Sequence, residues 1–294
     1  MTPTVPRKLQ ISAIRFLNPA PLMWDFEHAP EQSRLAERYV VHSTLPSQCA
    51  DELTSKSSHV ADIGLVPVTT YATARDLLVI PGCAIASLGA VRSILLVMRA
   101  GTTMKNVQRV AADPASRSSN AYTRILLEKF YGARPEFIAQ TSPALTLVPE
   151  GCDAAVIIGD PALLALEHSA ARELRTGERL TYIDLAEEWK RHTGLPWVSA
   201  FWAVRPEAMK ESGLSAADIT ADFQRSRDHG LAHIDDLVAE WTPRIALPPA
   251  MIRDYLTQNI HYTLDDACLA GLDLFYRYAA ELNILPAAPL LRFL

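Results

Sequence analysis

From Leu9 to Val204 the chain is a succession of short apolar segments, most of them stopped by proline or glycine and followed by helical sequence. Leu9 to Phe16 alternates as a strand does, and Leu17-Asn18-Pro19-Ala20-Pro21 breaks it because two prolines cannot continue a ladder. Helices are expected from Leu22 onward and over Ser47 to Thr54. Val60 to Val66 is a compact strand ended by Pro67. Leu77 to Ile85, interrupted at Pro81-Gly82, and Ser93 to Met98 are two more. A second series starts at Val107 to Ala112, where Asp113-Pro114 turns into an amphipathic helix over Ser119 to Tyr131. Glu136 to Ala139 and Ala154 to Ile158 are extended, and Asp160-Pro161 supplies an N-cap and N1 for a helix reaching Glu167. Trp197 to Val204 is again apolar and extended, closed by Arg205-Pro206. The remainder is mainly helical. Thr263 with Asp266 resembles a capping box, and Cys268, Leu272, Phe275, Tyr276, Ala279 and Leu282 form one helical face.

Strands alternating with helices imply an α/β protein with parallel sheets covered on both faces. The late return at Trp197 implies a discontinuous first lobe. One lobe is placed at 1–97 plus 201–294 and the other at 98–200, with the ligand cleft between them near the carboxyl ends of the strands. The 294 residues, 49% of them hydrophobic, are enough for two such cores.

Charge and cysteine usage narrow the partners. A net charge of −5 with scattered Lys and Arg argues against nucleic acid, which needs a basic face, and against a polybasic membrane contact. No window approaches the roughly 18 uninterrupted apolar residues of a membrane span, and no signal-type apolar stretch follows Arg7-Lys8. Cys49, Cys83, Cys152 and Cys268 are far apart, so buried free thiols are expected rather than disulfides or a zinc site. A soluble cytoplasmic protein is the expectation.

Two segments carry the chemistry. Ala86 to Ile94 reads A-S-L-G-A-V-R-S-I, and Ala111 to Asn120 reads A-A-D-P-A-S-R-S-S-N. Each joins an apolar strand to a turn of small hydroxyl residues with one arginine. Hydroxyls, backbone N–H groups and a guanidinium suit a small carboxylate. Ser116, Ser118 and Ser119 precede a helix, where an anion meets the positive end of the dipole, although one of them is expected to be a simple N-cap.

At this point the chain resembles a known family, the MqnA chorismate dehydratases of the futalosine route to menaquinone. The resemblance rests on Phe16-Leu17-Asn18-Pro19-Ala20-Pro21-Leu22, Ala61-Asp62-Ile63-Gly64-Leu65-Val66-Pro67-Val68 and Gly89-Ala90-Val91-Arg92-Ser93. Ser116-Arg117-Ser118-Ser119, Ile158-Gly159-Asp160, and Thr193-Gly194-Leu195-Pro196 with Ala200-Phe201-Trp202-Ala203 complete it. Two positions depart from the family pattern. Pro19-Ala20 stand where Y-L-N-T-R-P-L has Thr-Arg, which removes a charge, and Ser118 stands for the Thr of S-R-T-S.

The resemblance implies a two-lobe fold of the type II periplasmic-binding-protein kind. It implies loss of water from chorismate, a small dicarboxylate, to give 3-[(1-carboxyvinyl)oxy]benzoate, with no cofactor or metal. Asn18 is the candidate catalytic residue, with a turn asparagine before proline as the plain alternative. Ser87, Arg92, Ser93, Ser116, Ser118, Ser119, Gly159 and Asp160 are the candidate substrate-binding residues. Arg92 could instead bridge the lobes, and Asp160 could simply cap a helix. A non-catalytic cytoplasmic binding protein or sensor for a small carboxylate is the competing reading, since this fold hosts both. His229 and His233, spaced i, i+4, lack the third ligand of a metal site. Trp189, Trp197 and Trp202 are expected in packing and at the hinge.

Overall fold

The structure is a computed structural model that describes residues 7–54, 60–74, 76–140 and 146–294. Two five-stranded sheets organise it. The first contains β1 (Leu9–Ile14), β2 (Tyr39–Thr44), β3 (Ile63–Pro67), β4 (Leu78–Ser87) and β10 (Trp197–Val204), in the order β2-β1-β3-β10-β4. The second contains β5 (Ile94–Arg99), β6 (Arg109–Ala112), β7 (Glu136–Ala139), β8 (Ala154–Ile158) and β9 (Leu180–Asp184), in the order β7-β6-β8-β5-β9.

The sheets are mixed, not parallel as the alternation of strands and helices suggested. In each sheet one strand runs against the rest. β10 is antiparallel to β3 and β4, and β5 is antiparallel to β8 and β9. These are the two strands by which the chain changes lobe, and each enters its new sheet from the far side. β5 lies wholly in the second sheet and β10 wholly in the first. The chain therefore leaves the first sheet after Ser87 and returns to it at Trp197.

Several local features have clear causes. Pro81-Gly82 does not end β4, because β4 is an edge strand and its pairing with β10 shifts register there. An edge position tolerates the missing proline N–H, and Gly82 takes φ +77 at the irregularity. Helix Asp266–Glu281 is capped by Asp265, whose carboxylate accepts the Cys268 N–H, and not by Thr263. Cys49, Cys83, Cys152 and Cys268 are buried free thiols. Trp189, Trp197 and Trp202 are fully buried. No helix among the described residues is long and apolar enough to cross a membrane.

An aromatic stack joins the lobes. Tyr122, on helix Arg117–Phe130, lies between Trp197 at 3.7 Å and Phe275 at 4.1 Å between ring centroids. Its hydroxyl donates to the Val198 carbonyl at 3.2 Å. Two glycines permit backbone-to-backbone packing inside helices. A Cβ on Gly230 would lie 2.1 Å from the Pro21 carbonyl oxygen, and one on Gly271 would lie 2.3 Å from that of Pro196. Alanine is the better helix former by about 1 kcal/mol, yet here it would force two backbones apart. Gly230→Ala is therefore expected to destabilise the protein by about 2–3 kcal/mol. Urea unfolding monitored by circular dichroism checks this, and a neutral or stabilising alanine would show that the close approach is not needed.

Candidate functional site

A cavity opens between the two sheets. Its wall combines Ile14, Phe16, Asn18, Pro46, Pro67, Ile85 and Ala200 with Ser93, Ile94, Ser116, Ser118, Ser119, Ile158, Gly159 and Ser199. Of the residues singled out in the sequence, Asn18, Ser93, Ser116, Ser118, Ser119 and Gly159 come together here. Ser87, Arg92 and Asp160 do not line the wall.

Four helices begin at this wall. Pro46 and Pro67 stand at the starts of Pro46–Leu53 and Val68–Thr73, Ser116 caps Arg117–Phe130, and Gly159 precedes Asp160–Glu167. Each follows the carboxyl end of its strand. The positive ends of these helices face the cavity, which is the arrangement that binds anions. Among the described residues no Lys, Arg, Asp, Glu or His lies on the wall.

The serines have distinct bonding. Ser116 is the N-cap: its Oγ accepts the Ser119 N–H at 3.1 Å and donates to Ser119 Oγ at 2.8 Å. Ser118 Oγ accepts the Thr69 N–H at 3.3 Å and lies 3.1 Å from Thr69 Oγ1, a bond between lobes. Ser119 and Ser199 each accept a bond, Ser199 from the Trp197 indole N–H at 2.7 Å, and no acceptor among the described residues takes either hydroxyl's own proton.

Asn18 is held by its neighbours. The short 3₁₀ turn Ala20–Met23 packs on helix Ala216–Ala232, where Ser226 donates to the Leu22 carbonyl at 2.8 Å and accepts the Asp25 N–H at 3.0 Å. Asn18 Oδ1 is buried and has no hydrogen-bond partner among the described residues. A buried unpaired amide oxygen costs roughly 1–3 kcal/mol, so a donor from a ligand would relieve it.

Residues outside the wall support it. Asp160 does not cap its helix, because Gly159 occupies that position at φ +66. Its carboxylate accepts the Leu17 N–H at 3.0 Å, beside Asn18 and across the cleft. Next to it, the Phe16 ring covers Gly159 so closely that a Cβ there would lie 2.7 Å away. The Arg92 N–H donates to Asp184 at 2.6 Å with the residue at φ +62. Ser87 Oγ donates to the Gly89 carbonyl at 2.7 Å. These two hold the crossing between lobes. Phe16 entered the sequence reading only as part of the first motif and Ser199 not at all, since nothing local places an aromatic against a distant glycine or a mid-strand serine at a cleft.

The histidine pair is separately partnered. His229 lies 2.8 Å from Asp25 and His233 lies 2.8 Å from Asp236. Among the described residues His261, Asp265 and Cys268 are grouped closely enough for a metal, but away from the cavity wall. Burial pushes the Cys268 thiol up to about 12, which disfavours the thiolate a metal requires.

Burial pushes the Asp160 carboxyl up to about 6 from its ordinary 3.8, and the Leu17 N–H opposes this only in part. The folded chain thus holds this proton more tightly than the unfolded chain does. Its contribution to stability falls as pH rises from about 4 to about 6. Asp160→Asn is expected to stabilise the protein by about 1–3 kcal/mol at pH 7.5, with no difference below about pH 4. Thermal melts at the two pH values measure this. Equal loss of stability at both would mean that the charged form is well accommodated.

Comparison with known proteins agrees with this architecture. A protein of Archaeoglobus fulgidus superposes with a TM-score of 0.70 at 12% identity, covering 95% of this chain and 98% of that one. The periplasmic aliphatic sulphonate binding protein SsuA of Escherichia coli gives 0.61 at 16% identity, covering 96% and 95%. At such identities the likeness concerns the fold, which is the two-lobe, periplasmic-binding-protein-like α/β fold expected from the sequence. A Thermus thermophilus protein named chorismate dehydratase is 29% identical over 240 residues, 78% of this chain and 83% of that protein. A family model described as menaquinone biosynthesis matches residues 9–281, and the chain belongs to that family.

Proposed function

We propose that the protein is a chorismate dehydratase, a hydro-lyase that converts chorismate to 3-[(1-carboxyvinyl)oxy]benzoate. The observation that carries this reading is a cavity suited to a small organic anion whose wall, among the described residues, holds no ionisable side chain. Family membership and the Thermus thermophilus relative support the substrate.

The chemistry follows from that wall. Elimination requires removal of the hydrogen at ring C3 and departure of the hydroxyl at C4. Among the described residues no side chain on the wall is a base, so the base in this reading is the substrate's own enolpyruvyl carboxylate. It takes the C3 proton, the C3–H electron pair becomes ring π-bonding, and the C4–O bond breaks toward oxygen. The proton and the departing hydroxide leave together as water. Aromatisation supplies the driving force, and the protein supplies placement, worth several kcal/mol of barrier in general. The ring carboxylate, which receives charge as C3 is deprotonated, fits the helix ends around Ser116, Ser119 and Gly159. The Asn18 amide, with its unpaired Oδ1, fits the ring hydroxyl or the ether carboxylate.

Purified protein mixed with chorismate is expected to give a product lighter by about 18 mass units, the mass of the one water lost in aromatisation. Ultraviolet spectra and product mass follow this. Asn18→Ala should lower kcat/KM by about 10²–10³-fold. Asn18→Asp should also be slower than the parent, because the substrate already carries the base. A faster Asn18→Asp would point to a protein base at that position. Tight binding of unchanged chorismate would favour a binding protein or sensor instead.

A further inference from the structure

The C-terminal chain carries a single turn of π-helix at Tyr255–Asn259, directly after helix Pro249–Asp254. Such turns are rare and often occur at functional sites. This one lies along the crossing from β4 to β5. The Tyr255 hydroxyl donates to Ser93 Oγ at 2.8 Å, and Asn259 Nδ2 donates to the Ala90 carbonyl at 2.9 Å. His261 then pairs with Ala86 through both backbone groups, at 2.8 and 2.9 Å. Two points on the crossing and the end of β4 are thus fixed from one short segment.

The bond to Ser93 has a chemical consequence. A serine hydroxyl has one proton to donate and two lone pairs. Ser93 Oγ receives the proton of Tyr255, and no acceptor among the described residues takes its own. Its carbonyl is also engaged, accepting the Gly159 N–H at 2.8 Å. The residue is almost fully buried, and the open space beside it is the cavity it lines. Burial holds the Tyr255 phenol far above its ordinary value, so it stays a donor across the working pH range. A hydroxyl that accepts a bond from a phenol is polarised and becomes a stronger donor itself.

We infer that Tyr255 is a positioning residue, which turns Ser93 into an obligate hydrogen-bond donor toward the oxygen departing from C4 of the substrate. The inference rests on the dehydratase reading and deepens it. Ser116 and Ser119 stand at a helix start, where a carboxylate is best held. Ser93 stands at the start of an antiparallel strand, backed by a phenol instead of a helix dipole. A neutral donor there suits a neutral hydroxyl that gains charge only as it leaves. No proton is lost from Ser93. The departing oxygen takes the C3 proton from the enolpyruvyl carboxyl, and the Ser93 bond stabilises the charge that develops before that transfer.

The test is a double-mutant cycle on chorismate turnover with Tyr255→Phe, Ser93→Ala and both together, alongside thermal melts. Expected is a fall in kcat of about tenfold for Tyr255→Phe with KM within about twofold, since the bond acts in the transition state. The double variant should be no slower than Ser93→Ala, because Tyr255 acts through Ser93. Multiplying effects, a change in KM alone, or an unchanged kcat in Tyr255→Phe would overturn the inference. If Tyr255→Phe does not fold, Ser93→Ala decides alone, and an unchanged kcat there overturns it. A parent protein inert toward chorismate fails the dehydratase reading and this inference with it. An active parent with a fully active Tyr255→Phe fails the inference only.

Discussion

The start of four helices at one cavity is the constraint on which the remaining structure depends. Pro46, Pro67, Ser116 and Gly159 all stand at helix starts on its wall, and among the described residues no basic side chain lies there. Helix dipoles act over only a turn or so, so the helix starts must be held close to any anion they stabilise. The sheets do this. The strands preceding these helices, β2, β3, β6 and β8, end toward the cavity, while β5 runs the other way and so begins there with Ser93 beside it. The same constraint accounts for the small residues on the wall. Gly159 admits the Phe16 ring, and the serines add hydroxyls without filling space.

Contact between the lobes is made by groups next to the wall. Asp160 with Leu17, Ser118 with Thr69, and the Tyr122 stack with Trp197 and Phe275 all cross the cleft. Asp160 is the costly member, a carboxylate kept where burial opposes its charge. Its Leu17 bond sits one residue from Asn18, so stability is given up where the site is assembled, a common feature of functional sites.

Much of this was legible in the sequence for physical reasons. Proline and glycine breaks located most strands, and the apolar run Trp197 to Val204 is a strand of the first sheet. The turn of hydroxyls at Ser116 to Ser119 pointed to the cavity because helix capping is a local signal. What stayed hidden is non-local. The edge strands Tyr39–Thr44 and Leu180–Asp184 are only partly buried, so neither has an apolar run. Strand direction depends on which lobe a segment joins, and a sequence window does not contain that. Arg92 read as a ligand because a guanidinium suits a carboxylate, yet its backbone N–H holds Asp184 and the residue does not line the wall. Tyr255 reaches Ser93 across 162 residues of sequence.

The most direct measurement is a crystal structure of the protein soaked with 3-[(1-carboxyvinyl)oxy]benzoate. The expected result is both carboxylates in the cavity between the lobes, at hydrogen-bond distance from Ser119, the Gly159 region or Asn18, with no arginine or lysine contacting either. A carboxylate paired with a basic side chain, or the molecule bound outside this cavity, would contradict anion recognition by helix starts and hydroxyls.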